Sequence, residues 1–397
     1  MPAFDAYLIV DWSASSTPVR GADSIWYCLL SRSDAGLSLA ALKNPSTRCQ
    51  AAAEIKAILH DTADRGQHVL AGFDFPYGYP AGFASALGVG QAAAWRSVWQ
   101  EIASNIIDRD DNSNNRFEIA ADFNRRISGA CHPFWGCPQR HVCSTMSSAR
   151  GRPEKLPEKR ITDVGTMQSI WKLYGIGSVG SQALLGIPYV MALCYDSVLR
   201  PLSSIWPFET GLSTLPSRQN RNWLILHAEI YPSLLRVRPA TGEVKDAAQV
   251  RRLAAHFAAL DEAGQLADLF GGSPSLTAAE REIVECEEGW TLGVGVGLLP
   301  SMRRLEIDPL FTRRPEASIR LTARPNRTGA SRATEPGFEN RNRQTVIRTT
   351  GLAGTDHGQY VYVLRCGACG HEYGANGSDI FQRRCPRCQG GKPGLPY

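Results

Sequence analysis

The sequence predicts an α/β protein with a mixed β-sheet flanked by helices, a helical insertion, and a small cysteine-rich module at the C-terminus. Three observations lead to this prediction. The first eighty residues contain a strand–strand–helix–strand succession, three apolar strand-like runs each carry a single carboxylate, and two CxxC pairs lie near the C-terminus. The length of 397 residues suits two or three domains, and 43% hydrophobic residues suffice for a sizeable core.

The N-terminal elements predict one half of the sheet. Residues 5–30 predict a hairpin that begins with the apolar run Tyr7–Trp12. Residues 50–65 predict an amphipathic helix, because apolar side chains recur there on one face. The apolar run Val69–Pro76 predicts the next strand, which completes a β-β-α-β unit.

The middle of the chain predicts helices. Residues 91–107 and 115–128 show helical periodicity, and we interpret about 91–185 as a helical insertion. The segment Gly175–Gly180 matches G-x-G-x-x-G but follows a helical pattern instead of a strand. This context argues against a dinucleotide site and predicts a tight turn between helices.

The chain then returns to the sheet. The run Trp223–Pro232 predicts a strand, and helices are expected at about 245–270 and 277–288. Ser275 or Thr277 is a suitable N-cap for the second helix. These elements complete the body of the protein.

Composition divides the chain into a body at 1–297, a basic linker at 298–343 and a C-terminal module at 344–397. The net charge is +5, but sixteen Lys and Arg stand against eight Asp and Glu from Ser301 onward. A basic tail on a near-neutral body suits an anionic partner, with nucleic acid the first candidate. The alternative is a solvated linker without a partner.

No N-terminal signal is visible, and no apolar run approaches the roughly 20 residues of a membrane span. The eleven cysteines are an odd number, and Cys28, Cys194 and Cys286 lie in apolar or helical settings typical of free thiols. These observations predict a cytoplasmic protein with no membrane partner.

The three strand-like runs carry their acids at corresponding positions, near the C-terminal end of each run. These acids are Asp11, Asp74 and Glu229. A charged acid beside a buried strand is unfavourable unless it is paired or binds a cation. Three such acids could converge at one edge of a sheet and form a Mg²⁺ or Mn²⁺ site from hard oxygen ligands. The alternative is that each acid caps a helix or pairs with a nearby arginine.

The helix expected at 277–288 is strongly acidic. Glu285 and Glu288 lie three residues apart and share a face, so this helix could present a fourth carboxylate to the strand-end acids. The alternative is a solvated acidic helix, with Arg281 available to pair with Glu285.

Two CxxC pairs separated by fifteen residues have the spacing of a zinc ribbon. Each pair forms a knuckle that places two thiolates on one structural Zn²⁺, and the metal supplies folding energy that so short a module lacks. Redox dithiols are the alternative, although they would not require two matched pairs. The four expected ligands are Cys366, Cys369, Cys385 and Cys388.

Basic residues surround the cysteines, and Tyr373 and Phe381 lie among them. Basic and aromatic side chains on a ribbon suit the backbone and bases of nucleic acid. A protein-docking module is the alternative. The candidate nucleic-acid-binding residues are Arg365, Arg383, Arg384 and Arg387.

The segments VDWSAS, FDFPYG and AEIYPS, followed by a late acidic helix, resemble the predicted RNase H-like nucleases among bacterial domains of unknown function. The resemblance covers roughly residues 5–295 and implies an RNase H-like fold. It implies that Asp11, Asp74 and Glu229 hold the metal. That family usually ends in paired Asp residues followed by an Ala-rich helix, whereas this chain has ECEEGW, so Glu285, Glu287 and Glu288 all stay candidates for the fourth acid.

The activity implied by the resemblance is two-metal phosphodiester hydrolysis on nucleic acid, with Mg²⁺ or Mn²⁺ as the catalytic ion. Lys155, Lys159 and Arg160, in a charged loop, could contact phosphates. One rival is a non-catalytic nucleic-acid-binding or assembly protein that retains the fold. A second rival is an actin- or sugar-kinase-type phosphotransferase, which is disfavoured because no glycine follows Asp11 in a phosphate loop.

Overall fold

A computed structural model describes residues 2–90, 93–151, 156–235, 237–295, 334–355 and 360–397. The chain divides into two compact units, Met1–Pro315 and Glu316–Tyr397. Most of the expected linker, residues 298–333, lies outside the described residues.

The N-terminal unit contains a six-stranded mixed sheet with the order β3-β2-β1-β4-β6-β5. Strands β1, β2 and β3 are antiparallel neighbours, whereas β4, β6 and β5 run parallel to β1. The expected mixed sheet is therefore confirmed, with β3 and β5 as additional strands. The strands are β1 (Ala6–Asp11), β2 (Trp26–Ser33), β3 (Gly36–Lys43), β4 (Val69–Phe73), β5 (Ser203–Ile205) and β6 (Ile225–Glu229).

Helices flank this sheet, as the sequence predicts, although the helix expected at 245–270 is divided in two. Helix α5 begins within the glycine motif and continues to Cys194, beyond the expected end of the insertion at residue 185. No helix in the described residues is long and apolar enough to cross a membrane. The helices are α1 (Arg48–Asp64), α2 (Phe83–Leu87), α3 (Ala94–Asn105), α4 (Arg116–Ile127), α5 (Val179–Cys194), α6 (Lys245–Glu262), α7 (Leu266–Leu269) and α8 (Ala278–Ile283), which continues as a π-helical turn, Val284–Glu288.

The alternation of side chains along each strand divides the core into two layers. Leu8 and Val10 of β1 point to the layer formed with α1, α3, α4 and α5. Tyr7 and Ile9 point to the opposite layer, which is formed with α6. The central strands are apolar on both faces because helices cover both faces of the sheet.

The C-terminal unit contains a three-stranded antiparallel sheet, β7 (Gln344–Ala353), β8 (Tyr360–Cys366) and β9 (Glu372–Asn376). Its small core also includes Phe338, and Asn340 donates hydrogen bonds to the backbone oxygens of Ile380 and Arg383 at 2.7 and 2.9 Å. Residues 334–343, which composition assigns to the linker, therefore belong to this unit.

A buried arginine joins α1 to the loop that follows β1. The guanidinium of Arg48 is fully buried and pairs with both carboxylate oxygens of Asp108 at 2.5 and 2.6 Å. It also donates to the backbone oxygens of Ser13 and Ser15 at 3.0 and 2.7 Å. The planar, multi-donor guanidinium suits this position in a way that lysine cannot match.

We predict that Arg48→Met lowers the free energy of unfolding by about 3–5 kcal/mol, because it leaves the buried Asp108 carboxylate without its partner. The matched control is Arg65→Met, since Arg65 forms an exposed pair with Asp61. That control should change stability by about 0–1 kcal/mol. Urea unfolding monitored by circular dichroism measures both values, and similar losses in the two variants would contradict this account.

Candidate functional site

Two carboxylates meet at the carboxyl ends of adjacent parallel strands. Asp11 ends β1, and Asp74 follows directly after β4. Their carboxyl groups hydrogen-bond to each other, and Asp74 Oδ1 also accepts the backbone N–H of Trp12 at 2.8 Å. Gln182 holds the same segment by donating to the Trp12 backbone oxygen at 2.6 Å. The sequence-predicted acids Asp11 and Asp74 are therefore in direct contact.

Burial and mutual repulsion make this acid pair difficult to ionise. The pKa of Asp11 is raised to about 7, first by burial and then by the negative charge of Asp246. The pKa of Asp74 is raised well above its usual value by burial and by the charge of Asp11. Both shifts favour the protonated form of the pair, and a bound cation would relieve the same repulsion.

A further acid, Asp246, lies in the first turn of α6 on the same side of the sheet as the acid pair. Its Oδ2 accepts the backbone N–H of Asp23 at 2.7 Å, and burial raises its pKa. Among charged groups, Asp246 has the largest effect on Asp11. Asp246 was not among the acids expected from the sequence, although an acid at the start of an Ala-rich helix that follows the strand of Glu229 was an available signal.

Glu229 does not join this pair, because strand register places it on the other face of the sheet. Phe73 pairs with both Val10 and Glu229, so Glu229 is level with residues one position before Asp11 and Asp74. Since side chains alternate between faces, that offset of one residue directs Glu229 into the opposite layer. The three acids thus do not converge at one point.

In that layer Glu229 forms a buried ion pair with Arg160. The two guanidinium nitrogens Nη1 and Nη2 donate to Glu229 Oε2 and Oε1, both at 2.7 Å. Asp163 binds the same guanidinium at 2.9 Å, and Thr291 Oγ1 donates to Glu229 Oε1 at 2.6 Å. Arg160 is therefore a buried structural residue and does not contact phosphates from a surface loop. Glu229 is thus paired with an arginine, which is the alternative to a metal site that the sequence left open for each strand-end acid.

Glu229 also holds a loop beside the acid pair. Its Oε2 accepts the backbone N–H of Tyr77 at 2.9 Å, within the FDFPYG segment that begins after β4. The next residue, Gly78, lies so close to the π-helical turn that a Cβ atom would be 2.2 Å from the Glu287 backbone oxygen. Only glycine fits there, so the loop and the π-helical turn pack directly together.

The carboxylates of the π-helical turn are used to fix neighbouring backbone. Glu285 Oε1 accepts the N–H of Leu212 at 2.7 Å, and Glu288 accepts the N–H groups of Ala81 and Ile161 at 2.8 and 2.6 Å. Glu287 caps the start of α2 by accepting from Gly82 and Ala84 at 2.9 and 2.8 Å. None of the three acids joins Asp11 and Asp74 in a ligand group of three or more.

Four cysteines of the C-terminal unit form a cluster that could hold a metal such as zinc. Their sulfur atoms all lie within 4.8 Å of one another, with 3.6 Å between the sulfurs of Cys366 and Cys388 and 3.7 Å between those of Cys369 and Cys385. A disulfide would require about 2.0 Å. A zinc tetrahedron with Zn–S bonds of about 2.3 Å has sulfur–sulfur edges of about 3.8 Å, which matches this geometry.

The environment of the cluster favours thiolates at one position and opposes them at another. Desolvation acts to raise the pKa of Cys366, but the backbone N–H groups of Cys369 and Ala368 and the side chain of Gln344 outweigh it and lower that pKa to about 6. The hydrogen bond with Cys369 raises the pKa of Cys388 to about 12. Binding of a metal would therefore release protons from the cluster.

The four arginines predicted to bind nucleic acid occupy different environments. Arg383 is 8% exposed and donates to the Pro393 backbone oxygen at 2.6 Å, so it supports the fold of the unit. Arg365 pairs with Glu372 at 2.7 Å on the surface. Arg384 and Arg387 are exposed.

Comparison of the chain with protein-family models, with curated proteins and with solved structures finds no match in any of the three.

We predict that the metal-free protein loses stability as the pH rises from 5.5 to 8. A carboxyl group whose pKa is raised on folding stabilises the fold fully below its unfolded pKa, and that contribution is lost as the pH rises through about 7 for Asp11. Asp11→Asn removes the repelling charge and should raise the metal-free Tm at pH 8 by about 2–4 °C. Thermal unfolding at both pH values tests this, with the exposed Asp64→Asn as control; an unchanged Tm in Asp11→Asn would refute it.

We also predict about one zinc ion per chain. Cys388→Ser should lose the metal and unfold the β7–β9 unit, because thiolate ligation supplies folding energy to so small a core. Cys143→Ser is the matched control, since Cys143 is exposed and lies outside the cluster. Elemental analysis and circular dichroism provide the measurements, and a reductively purified protein without metal would contradict the prediction.

Proposed function

We propose that this protein is a divalent-metal-dependent phosphodiesterase acting on nucleic acid, with an RNase H-like body and a C-terminal zinc ribbon. The observation that carries the proposal is the contact between Asp11 and Asp74 at the ends of adjacent parallel strands. The sheet order supports the fold assignment, since three antiparallel strands are followed by strands parallel to β1.

The donor set of this pair fits Mg²⁺ or Mn²⁺. Both ions prefer hard oxygen ligands, and Mg²⁺ is commonly held by one or two carboxylates together with substrate phosphate oxygens. Two half-buried carboxylates whose pKa values are both raised provide such a position, because their repulsion is relieved by a cation. Asp246 adds negative potential from α6, although within the described residues it does not form a ligand group of three with Asp11 and Asp74.

When bound, the ion would polarise the phosphate and lower the pKa of a coordinated water. The residues of the chain have supporting tasks. The Trp12 N–H orients Asp74, and Gln182 holds Trp12 from α5. The Arg160–Glu229 pair fixes the Tyr77 backbone, so Glu229 acts here as a positioning residue for the FDFPYG loop.

The four-cysteine cluster suits a structural zinc ion. Four thiolates complete a tetrahedron and leave no open position for a substrate or water, so zinc chemistry is not assigned a step. In this proposal the zinc-ribbon module aids the binding of substrate or of a protein partner.

The rival function, a nucleic-acid-binding or assembly protein without catalysis, is favoured by one specific observation. Glu229, Glu285 and Glu288 are all occupied by arginine or backbone N–H groups, so fewer acids stay free than the two-metal arrangement requires. Calorimetric titration with Mn²⁺ separates the two functions, because a non-catalytic site should bind the ion weakly and cleave nothing.

We predict that Asp11→Asn and Asp74→Asn each reduce Mn²⁺-dependent cleavage of an oligonucleotide by at least about 100-fold while the fold stays intact. The double variant should be no worse than either single one, as expected for groups that act as a unit. Asp246→Asn should reduce cleavage less. Full activity in Asp11→Asn would refute the proposal.

Glu229→Gln distinguishes a ligand from a positioning residue. It should lower the free energy of unfolding by about 1–3 kcal/mol, because Arg160 loses its charged partner Glu229 but keeps its pair with Asp163, and should leave Mn²⁺ affinity nearly unchanged. Denaturant unfolding and calorimetry measure the two effects. Loss of Mn²⁺ affinity at unchanged stability would instead make Glu229 a metal ligand.

A further inference from the structure

The C-terminal unit contains a groove of about 360 Å³ next to the second cysteine knuckle. Its volume lies within the range of pockets that hold small ligands, and it is large enough for a single nucleotide. Four cations and one carboxylate line it, which gives the groove a net charge of +3. These residues are Arg341, Arg383, Arg384, Lys392 and Asp379.

The charges of this groove are largely uncompensated. Asp379 pairs with Arg383 at 3.4 Å, so the carboxylate that lines the groove in the described part of the unit already has a cationic partner. Within the described residues Arg341, Arg384 and Lys392 form no ion pair. Three cations held around one concave surface without acidic partners are stabilised when an anion enters.

The shape of the groove is determined by close backbone packing. A Cβ atom on Gly391 would lie 1.9 Å from the Arg384 backbone oxygen, so the wall that carries Arg384 and Lys392 can form only with glycine at position 391. Asn340 and Asn342 both donate to the Arg383 backbone oxygen, at 2.9 and 3.2 Å, and join the segment of Arg341 to the segment of Arg384. The cations therefore project from a preorganised backbone.

An aromatic side chain accompanies the cations. Phe381 is 62% exposed, and the Arg341 guanidinium lies 5.8 Å from the centre of its ring. An exposed ring beside a cationic groove is the combination on which unpaired bases stack while the phosphates follow the positive surface. Duplex bases are not available for such stacking, and an acidic peptide gains less from the ring.

We propose that this groove binds single-stranded nucleic acid, with a backbone phosphate among Arg341, Arg384 and Lys392 and a neighbouring base on Phe381. This inference rests on the proposed function for its ligand class but assigns the binding to residues of the C-terminal unit. It separates Arg384 from Arg365, Arg383 and Arg387, retains Phe381, and adds Arg341 and Lys392 to the candidate residues.

The test uses the full-length, zinc-loaded protein with Asp11→Asn as background, so that no cleavage occurs during binding. Fluorescence anisotropy with a labelled 20-nucleotide single strand gives Kd over a salt series. Arg384→Ala with Lys392→Ala should weaken binding at least about tenfold at low salt and reduce the slope of log K against log salt by about 0.7, the value for one phosphate contact on a single strand. Phe381→Leu should weaken binding about tenfold with an unchanged slope.

The matched controls are Arg365→Ala and Arg387→Ala, which remove exposed cations that do not line the groove. Each should change Kd less than twofold, and zinc content verifies that every variant is folded. Equal losses in the controls, or none in the groove variants, would overturn the proposal. Equal competition by a duplex or by polyglutamate would also overturn it, the latter in favour of a protein partner.

The two proposals fail separately. If the groove variants cleave nucleic acid as well as the wild-type protein does, the groove inference alone fails. Groove-dependent binding without any Mn²⁺-dependent cleavage removes the phosphodiesterase and leaves the groove in place.

Discussion

The parallel register of β1, β4 and β6 decides which acids of this protein can meet. Asp11 and Asp74 lie level at the strand ends and point to the layer of α6, where Asp246 faces them. Glu229 is offset by one residue in the strand register and therefore points to the other layer. One side of the sheet thus collects uncompensated negative charge, and the other contains a neutralised ion pair. The metal site that we propose belongs to the first side, and the structural contacts of Glu229 belong to the second.

The Arg160 guanidinium connects the parts of the second side. It binds Glu229 on a strand, Asp163 three residues away and the Glu288 backbone oxygen at 3.0 Å. With Gly78 packed against the π-helical turn, this contact fixes the loop that starts at Asp74. Removing one partner would leave a buried charge unmatched, so the assembly tolerates little change. The position of Asp74 in the acid pair therefore depends on contacts made by Arg160 and Glu229 in the opposite layer.

Much of this arrangement can be predicted from sequence, because apolar periodicity identifies β1, β4, β6 and α1, and paired CxxC motifs identify the cysteine cluster. Strand β3 was not predicted, since no residue of Gly36–Lys43 is buried and the run lacks an alternating apolar pattern. The partner of Glu229 could not be predicted either. Arg160 is far from Glu229 in the sequence, so no local pattern indicates that the two residues pair. The register offset of one residue can be recognised only after the strands have been paired.

The Arg160 contact also affects the order in which parts of the protein can fold during synthesis. Its groups come from Arg160, Glu229 and Glu288, and Thr291 completes the bonds to Glu229. A nascent chain that ends before Glu288 contains every strand of the main sheet together with Arg160 and Glu229, but it lacks Glu288 and Thr291, which complete this contact. Until translation passes that point, the newly made body holds the Glu229 and Arg160 charges without their full set of partners. The loop that starts at Asp74 therefore gains its full set of supporting contacts only after Glu288 and Thr291 have been synthesised.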